Sequence, residues 1–150
     1  MRKKLLIGVV LICVTLFTTN VFQFCKIRQY NADKKFYTDE VENGFDNFVR
    51  GLDYYDGKTS MLSNESAIKN SVSAVAAIRN LAPLSKYSSS KPLSEMLMYL
   101  DMYFVMESDE YINSNINSIK PYLVSLSSNL DDEKLIKEVN LVLQKLVSNK

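Results

Sequence analysis

Few residues in this chain of 150 could do chemistry, because the side chains that most enzymes use are scarce. There is no histidine, so neither a Ser-His-Asp triad nor a Cys-His pair can form. The 2 cysteines, Cys13 and Cys25, lie in or at the end of an apolar run, which leaves no typical zinc ligands elsewhere. Only 4 glycines are present, too few for a phosphate-binding loop to be expected. The sequence therefore predicts no enzymatic activity, no cofactor and no metal site.

Carboxylates are the remaining candidates for acid–base chemistry. Asp53 with Asp56, and Glu107 with Glu110, are spaced i, i+3, so each pair could share one helix face. Asp101 differs from these because it is the only charged residue in an apolar run. It is either a buried acid that binds a cationic ligand, or a residue that turns to solvent or pairs with a Lys or Arg. We favour the second interpretation for Asp101, and a solvated acidic helix end for the two pairs.

The first structural element of the chain is the apolar run from Leu5 to Phe24, which contains no charged residue. A helix of that length, at about 1.5 Å per residue, spans roughly 30 Å, the thickness of the hydrocarbon core of a bilayer. We therefore predict a short basic tail at residues 1–4 and a single transmembrane anchor at residues 5–25. One alternative is a cleaved signal peptide, but the sequence has no A-x-A-like cleavage site. The other is a lipoprotein signal, but no small residues precede Cys13 or Cys25.

A basic collar at residues 26–35 follows the anchor and is expected to continue its helix. Its cations, set against one Asp, are Lys26, Arg28, Lys34 and Lys35. Residues 36–150 hold 11 Lys or Arg against 16 Asp or Glu, a net charge of −5. The collar suits the anionic headgroups of a lipid bilayer, whereas an acidic domain argues against nucleic acid. Both flanks are basic, and we favour a cytoplasmic N terminus with the C-terminal domain outside the cell membrane of a bacterium.

Residues 36–150 are predicted to form an all-α domain, an antiparallel bundle of four or five helices joined by short connections. Apolar residues recur at helical spacing, and no run alternates with period two. The expected core faces are Tyr37, Val41, Phe45, Phe48, Leu52 and Tyr55; Ile68, Val72, Val75, Ile78 and Ala82; Leu93, Leu97, Leu100 and Phe104; Ile112, Ile116, Ile119, Leu123 and Leu126; and Leu135, Val139, Val142 and Leu146, widened by Ile136, Leu143 and Val147.

The connections between these helices are marked by polar residues and prolines. Asp56-Gly57 is expected to be a turn, Pro83 to end a helix, and Lys86–Lys91 to be a serine-rich loop. Glu107–Glu110 is a polar break at which the chain either kinks or starts a new helix. Pro121 cannot donate a backbone hydrogen bond and should bend the helix locally.

A second stripe on the third bundle helix is the candidate partner surface. It consists of Met98, Met102 and Met106, four residues apart, with Asp101 and Tyr103 beside them. Methionine adapts to varied partners and tyrosine suits interfaces, although both also pack in bundle cores. We therefore predict a single-pass interaction or structural protein of the cell envelope that binds a protein partner or itself. The alternative is an extracytoplasmic ligand-binding or sensory module, including an immunity-type protein, which acts through a membrane partner and whose small-molecule ligand is unknown.

Overall fold

The computed structural model describes residues 2–52 and 61–148, with side chains from Ile7 onward except those of residues 9 and 61–68. Most of this described part is helical, and it contains no strand. Its α-helices are α1 (Arg2–Gly51), α2 (Met61–Leu81), α3 (Lys91–Met106), α4 (Asp109–Ser127) and α5 (Glu133–Ser148). The prediction of an all-α chain, with one long apolar N-terminal helix and a helical bundle, is confirmed.

Some sequence-based expectations concern residues outside this description. They are the Asp56-Gly57 turn, the Asp53 and Asp56 pair, and the place of Tyr55 in the first apolar face. The side chains of Leu5 and Ile68 also lie outside the described residues. By contacts between Cα atoms, the chain divides into two compact units, Met1–Lys35 and Phe36–Lys150.

The first unit consists of α1 residues whose side chains are almost all exposed from Ile7 onward. Threonines in the middle of the helix use their own backbone as a hydrogen-bond acceptor, as β-branched hydroxyl residues can in a helix. The hydroxyl of Thr15 donates to the carbonyl of Leu11 over 2.9 Å, and that of Thr19 donates to the carbonyl of Thr15 over 2.8 Å. Thr18 donates in the same way to the carbonyls of Val14 and Thr15. These hydroxyls are therefore satisfied within the helix itself.

The second unit is organised around α3, which packs against α2 and α5. The rings of Phe48 in α1 and Phe104 in α3 meet edge to face, with centroids 5.7 Å apart. The guanidinium of Arg79 in α2 forms a salt bridge with the carboxylate of Asp101 in α3. At Gly44 an added Cβ would lie 3.2 Å from the Ile78 side chain, so the missing side chain lets α1 approach α2 closely.

Two hydrogen bonds join α3 to the C-terminal helices. The buried hydroxyl of Tyr103 donates to the carbonyl of Ile112 in α4 over 3.1 Å. The amide of Asn140 in α5 donates to the carbonyl of Pro92 over 2.9 Å, and no described residue pairs with its buried Oδ1 atom. A helix surrounded in this way must bury more than one stripe. The buried residues of α3 are Leu93, Met96, Leu97, Leu100, Tyr103 and Phe104.

The predicted core faces are confirmed for most of the described residues. In α4 every residue of the expected stripe is buried: Ile112, Ile116, Ile119, Leu123 and Leu126. In α5 the buried residues are Ile136, Val139, Asn140 and Leu143, of which Ile136, Val139 and Leu143 belong to the predicted stripe. Leu135, Val142 and Leu146 are only half-buried there. The buried face is therefore centred on the side of Ile136 and Leu143, because α5 packs against α3 as well as α4.

The connection between α2 and α3 is more ordered than predicted. Two short 3₁₀ helices, Ala82–Leu84 and Lys86–Ser89, stand where a serine-rich loop was expected. The Ser85 hydroxyl accepts a hydrogen bond from the amide of Tyr87, and the Ser90 hydroxyl accepts one from the amide of Leu93. Serines that cap the first turn of a helix are strongly preferred there, so these serines start helices. The loop interpretation of residues 86–91 is corrected accordingly.

The polar break after α3 separates two helices. Glu107 and Ser108 both have extended backbones, with ψ of 152° and 153°. The Ser108 hydroxyl then accepts from the amide of Tyr111, and Asp109 and Glu110 occupy the first turn of α4. Acidic residues are favoured at a helix N terminus because of the helix dipole. Of the two alternatives left open by the sequence, a new helix is therefore correct and a kink is not.

Candidate interaction surface

The residues predicted to form the partner surface do not all reach solvent. Met98 is 42% exposed and Met106 is 59% exposed, while Asp101 and Met102 are half-buried. Tyr103 is 0% exposed and its hydroxyl is bonded to α4, so its assignment to the partner surface is wrong. The reason is that α3 also packs toward α4 on the side where Tyr103 lies. Asp101 faces α2 and pairs with Arg79, in agreement with the interpretation that it turns to solvent or pairs with a Lys or Arg.

Val105 belongs to the exposed apolar surface and was missed in the sequence. It is 60% exposed, as much as Met106. Its position, three residues after Met102 and seven after Met98, is one helical face, so spacing alone could have found it. We call Met98, Met102, Val105 and Met106 the methionine face. It is an apolar strip on the helix that packs against both α2 and α5.

The two ends of the methionine face carry acidic residues. Glu95 is exposed and lies one turn before Met98, and Asp109 and Glu110 are exposed in the first turn of α4, which follows α3. After Lys91, its first residue, α3 carries no Lys or Arg, and the guanidinium of Arg79 from α2 is already paired with Asp101. The methionine face is therefore apolar in its middle and negative at both ends. Charge complementarity favours a partner with cations on either side of an apolar segment.

A polar cluster on another part of the second unit joins three distant points of the chain. The ammonium of Lys86 lies 2.9 Å from Glu42 Oε1 and 2.7 Å from Asp131 Oδ2. The hydroxyl of Tyr87 donates to Glu42 Oε1 over 2.7 Å, and the backbone amide of Lys86 donates to the hydroxyl of Thr38 over 2.9 Å. We call these residues the Lys86 cluster. No sequence pattern pointed to it, because its members are far apart in the chain.

The Lys86 cluster alters the ionisation of its own members. The hydrogen bond from Lys86 is the main cause that holds the pKa of Glu42 below its usual range. Hydrogen bonds to Asp131 and Glu42 raise the pKa of Lys86. Burial, followed by the hydrogen bond to Glu42, raises the pKa of Tyr87. The arrangement therefore stabilises charged Glu42, charged Lys86 and neutral Tyr87, which is the set of states expected near neutral pH.

We expect the free energy of unfolding to fall at both extremes of pH because of this cluster. Glu42 has a lowered folded-state pKa, so its contribution is present above its unfolded value of about 4.3 and is lost as the pH falls through the folded value. Lys86 and Tyr87 have raised folded-state pKa values, so their contributions are present below unfolded values of about 10 and are lost as the pH rises through the folded ones. Denaturant unfolding of the full-length protein in detergent, from pH 3 to pH 11, measures this dependence.

Lys86→Met is the informative variant for that measurement, and Lys137→Met is its control. Lys137 pairs at 3.6 Å with Glu133, four residues earlier on the exposed surface of α5, and ties no other element. We expect the Lys86→Met variant to lose less of its free energy of unfolding at acid and alkaline pH than the unchanged protein does. The Lys137→Met variant should show the same pH dependence as the unchanged protein. Equal pH profiles for the two variants would contradict the assignment of the dependence to the Lys86 cluster.

The predicted anchor and collar residues are exposed where they are described. Phe24, at the end of the apolar run, is 67% exposed. In the collar, Lys26, Arg28 and Lys35 are exposed and Lys34 is half-buried. The ammonium of Lys26 also lies 4.9 Å from the centroid of the Phe22 ring. By length and composition α1 can cross a membrane, although a signal sequence near an N terminus has the same properties.

The second unit has cavities that are small or open to solvent. One of about 60 Å³ is lined by Arg79, Tyr87 and Leu97, among others, which is room for water molecules rather than a large ligand. Two of about 180 Å³ lie beside the Lys86 cluster, one against Glu42 and the other against Lys86. In the described residues no group of three or more His, Cys, Asp or Glu is placed to hold a metal ion.

Comparisons with protein-family models, with curated proteins and with solved structures gave no match.

Proposed function

We propose that this protein is a single-pass membrane protein of the cell envelope whose helical bundle binds another protein through the methionine face and catalyses no reaction. The observation that carries the proposal is the exposure of Met98, Val105 and Met106 on the central helix of an acidic bundle. Exposure of such an apolar strip to water has a free-energy cost, and a bound partner would remove this cost by covering the strip. Methionine side chains are flexible and polarizable, which suits contact with a partner.

The membrane part of the proposal is supported by the exposed apolar side chains of α1. Those of Leu11, Val14, Phe17 and Phe22 are each more than half exposed, as is that of Ile27. A bilayer would cover this surface, and the Lys and Arg residues of the collar would meet anionic headgroups. We propose that the anchor stays uncleaved, with its N terminus in the cytoplasm and the bundle outside.

The partner that fits the methionine face is a helix with an apolar side and Lys or Arg near its ends. Glu95 lies at one end of the face, and Asp109 and Glu110 lie at the other, so cations on the partner would meet opposite charges. Helices of this type commonly bind by laying an apolar face on an apolar surface. The alternative, a ligand site near Asp101 and Tyr103, is less well supported because Arg79 and the Ile112 carbonyl already bind these two residues.

Photo-crosslinking in native membranes tests this proposal. A photoreactive residue in place of Met106 is expected to form a specific product with one partner, and the crosslinked segment of that partner should be apolar with flanking Lys or Arg. The double change Met98→Asp and Met102→Asp should weaken the product at least tenfold, since each buried methionine contributes about 1.5–3 kcal/mol.

Val124→Asp is the matched control, because Val124 is an apolar residue of α4, not of α3, with a similar exposed fraction of 48%. It should leave the crosslinked product unchanged. No product from position 106, or a product that survives the double change, would overturn the proposed binding role. A product whose partner segment is acidic would retain a docking face but contradict the charge argument.

A further inference from the structure

We infer that the spanning segment forms a parallel dimer with a second copy of this chain, joined through Asn20. This inference depends on the proposed function, because it requires the segment to lie in a bilayer. It identifies one partner of the anchor and concerns the first unit alone. The contact stripe consists of Cys13, Leu16, Asn20 and Gln23, all of which are exposed.

Asn20 differs from the other polar residues of the anchor in what its side chain leaves unpaired. The hydroxyls of Thr15, Thr18 and Thr19 all donate to carbonyls of the same helix. One amide hydrogen of Asn20 likewise donates to the carbonyl of Leu16, at 2.9 Å. An asparagine amide offers two donor hydrogens and an acceptor oxygen. Among the described residues nothing pairs with the second hydrogen or with Oδ1, so the helix satisfies only part of this side chain.

The depth of Asn20 makes those unpaired groups important. It lies four residues before Phe24, about 6 Å inside the end of the apolar run at 1.5 Å per residue. Water does not reach hydrocarbon at that depth, and the short Asn side chain cannot extend to the headgroups as Lys or Arg can. A neighbouring transmembrane helix is therefore the available source of hydrogen bonds, as polar side chains commonly provide in membranes.

The residues around Asn20 form a stripe suited to helix pairing. Cys13, Leu16, Asn20 and Gln23 are separated by three, four and three residues, which is the spacing of a two-helix contact. At about 100° per residue, Cys13 and Asn20 point within about 20° of each other around the axis, whereas Cys25 points about 140° away from Asn20. Gln23, one turn farther along, has an amide with no hydrogen bond described, and it can extend the same contact.

The chemistry of Asn20 favours a second copy of this chain as the occupant. Two asparagine amides at the same depth can donate to and accept from each other, so one copy supplies what the other lacks. Copies inserted in the same direction place their Asn20 side chains at equal depth, and a single Asn in such a contact fixes the register. The collar charges repel each other, but Lys26 and Arg28 are exposed at the headgroup side, where salt and anionic lipid screen them.

The native cysteines allow a direct test in membranes. Iodine, a two-electron oxidant that enters lipid, should convert two Cys13 thiols to a disulfide with release of two protons and two iodide ions, and so give a linked dimer in membranes that contain the full-length protein. The Cys25→Ser variant should retain this product, whereas Cys13→Ser should lose at least nine-tenths of it. A dimer that forms equally through either cysteine would show random collision and would overturn the inference.

Asn20→Leu tests the hydrogen bonds themselves in the Cys25→Ser background. We expect it to weaken dimerisation about tenfold or more, the loss of two reciprocal bonds of the strength measured in membranes. Thr19→Leu is the control, because the hydroxyl of Thr19 is already satisfied within its own helix, and it should change dimerisation less than twofold.

Alkaline extraction of the same membranes separates this inference from the proposed anchor. Protein that stays in the membrane but forms no Asn20-dependent dimer would overturn the inference and leave the anchor intact. Protein that is released by the extraction would overturn both. An unchanged dimer in Asn20→Leu would show that the contact exists without depending on Asn20, which also contradicts the inference.

Discussion

The double variant Val14→Asp and Phe17→Asp is expected to leave the membrane fraction. Val14 and Phe17 lie near the middle of the apolar run and are 54% and 71% exposed, so both would face lipid. An aspartate at the centre of a transmembrane helix costs about 2.5–3.5 kcal/mol, and the apolar contributions of Val and Phe are lost as well. The two aspartates alone cost about 5–7 kcal/mol, which is enough to prevent insertion of a single anchor. Membrane flotation followed by alkaline extraction measures the result.

Phe36→Asp is the matched control for this experiment. Phe36 is 58% exposed and follows the collar, so a charge there lies outside the proposed span. It should leave the protein in the membrane fraction. If both variants float with the membranes as the unchanged protein does, the chain is held there by something other than Leu5–Phe24.

Tyr103→Ala is expected to lower the free energy of unfolding of the bundle by about 3–5 kcal/mol. The ring of Tyr103 is fully buried, and its centroid lies 5.3 Å from that of Phe104 and 6.4 Å from that of Tyr111. Removing it leaves a cavity where α3 and α4 meet, and it also removes the bond to the Ile112 carbonyl. Denaturant unfolding of the full-length protein in detergent, followed by circular dichroism, measures the loss.

Two further variants separate the contributions at this position. Tyr103→Phe keeps the ring and removes the hydroxyl, so it should cost only about 1 kcal/mol. Met106→Ala changes a side chain that is 59% exposed on the same helix and should stay within about 0.5 kcal/mol of the unchanged protein. If Tyr103→Ala were as mild as Met106→Ala, Tyr103 would not be a core residue.

The helices were readable from the sequence because their apolar spacing is regular. The stripe from Ile112 to Leu126 predicted the buried side of α4 without error, since α4 uses one face. The same method misplaced Tyr103, and in α5 it treated the buried Ile136 and Leu143 only as residues that widen the stripe. Both α3 and α5 pack extensively against two neighbours, and a spacing pattern does not say how a helix divides its surface between neighbours. That division depends on how the chain returns on itself.

The partners in long-range polar contacts could not be predicted from the sequence. Pairing of Asp101 with a Lys or Arg was one of the alternatives predicted from the sequence, but Arg79 was not identified as the partner. The Lys86 cluster gave no signal at all, because Glu42 and Asp131 are ordinary surface carboxylates until the fold brings them to one ammonium. For Met98 and Met106 the sequence left both a partner surface and core packing open, and the fold leaves their side chains exposed.

Asn140 favours one register of α5 along α3 over the registers shifted by one turn. Apolar side chains that recur every three or four residues would fit almost as well if α5 slid along α3 by one turn. In such a slipped arrangement the amide of Asn140 would lose the Pro92 carbonyl and face apolar side chains with none of its hydrogen bonds made. A single amide in an otherwise apolar contact between α3 and α5 thus favours the native register over registers shifted by one turn, while it adds little to the total stability.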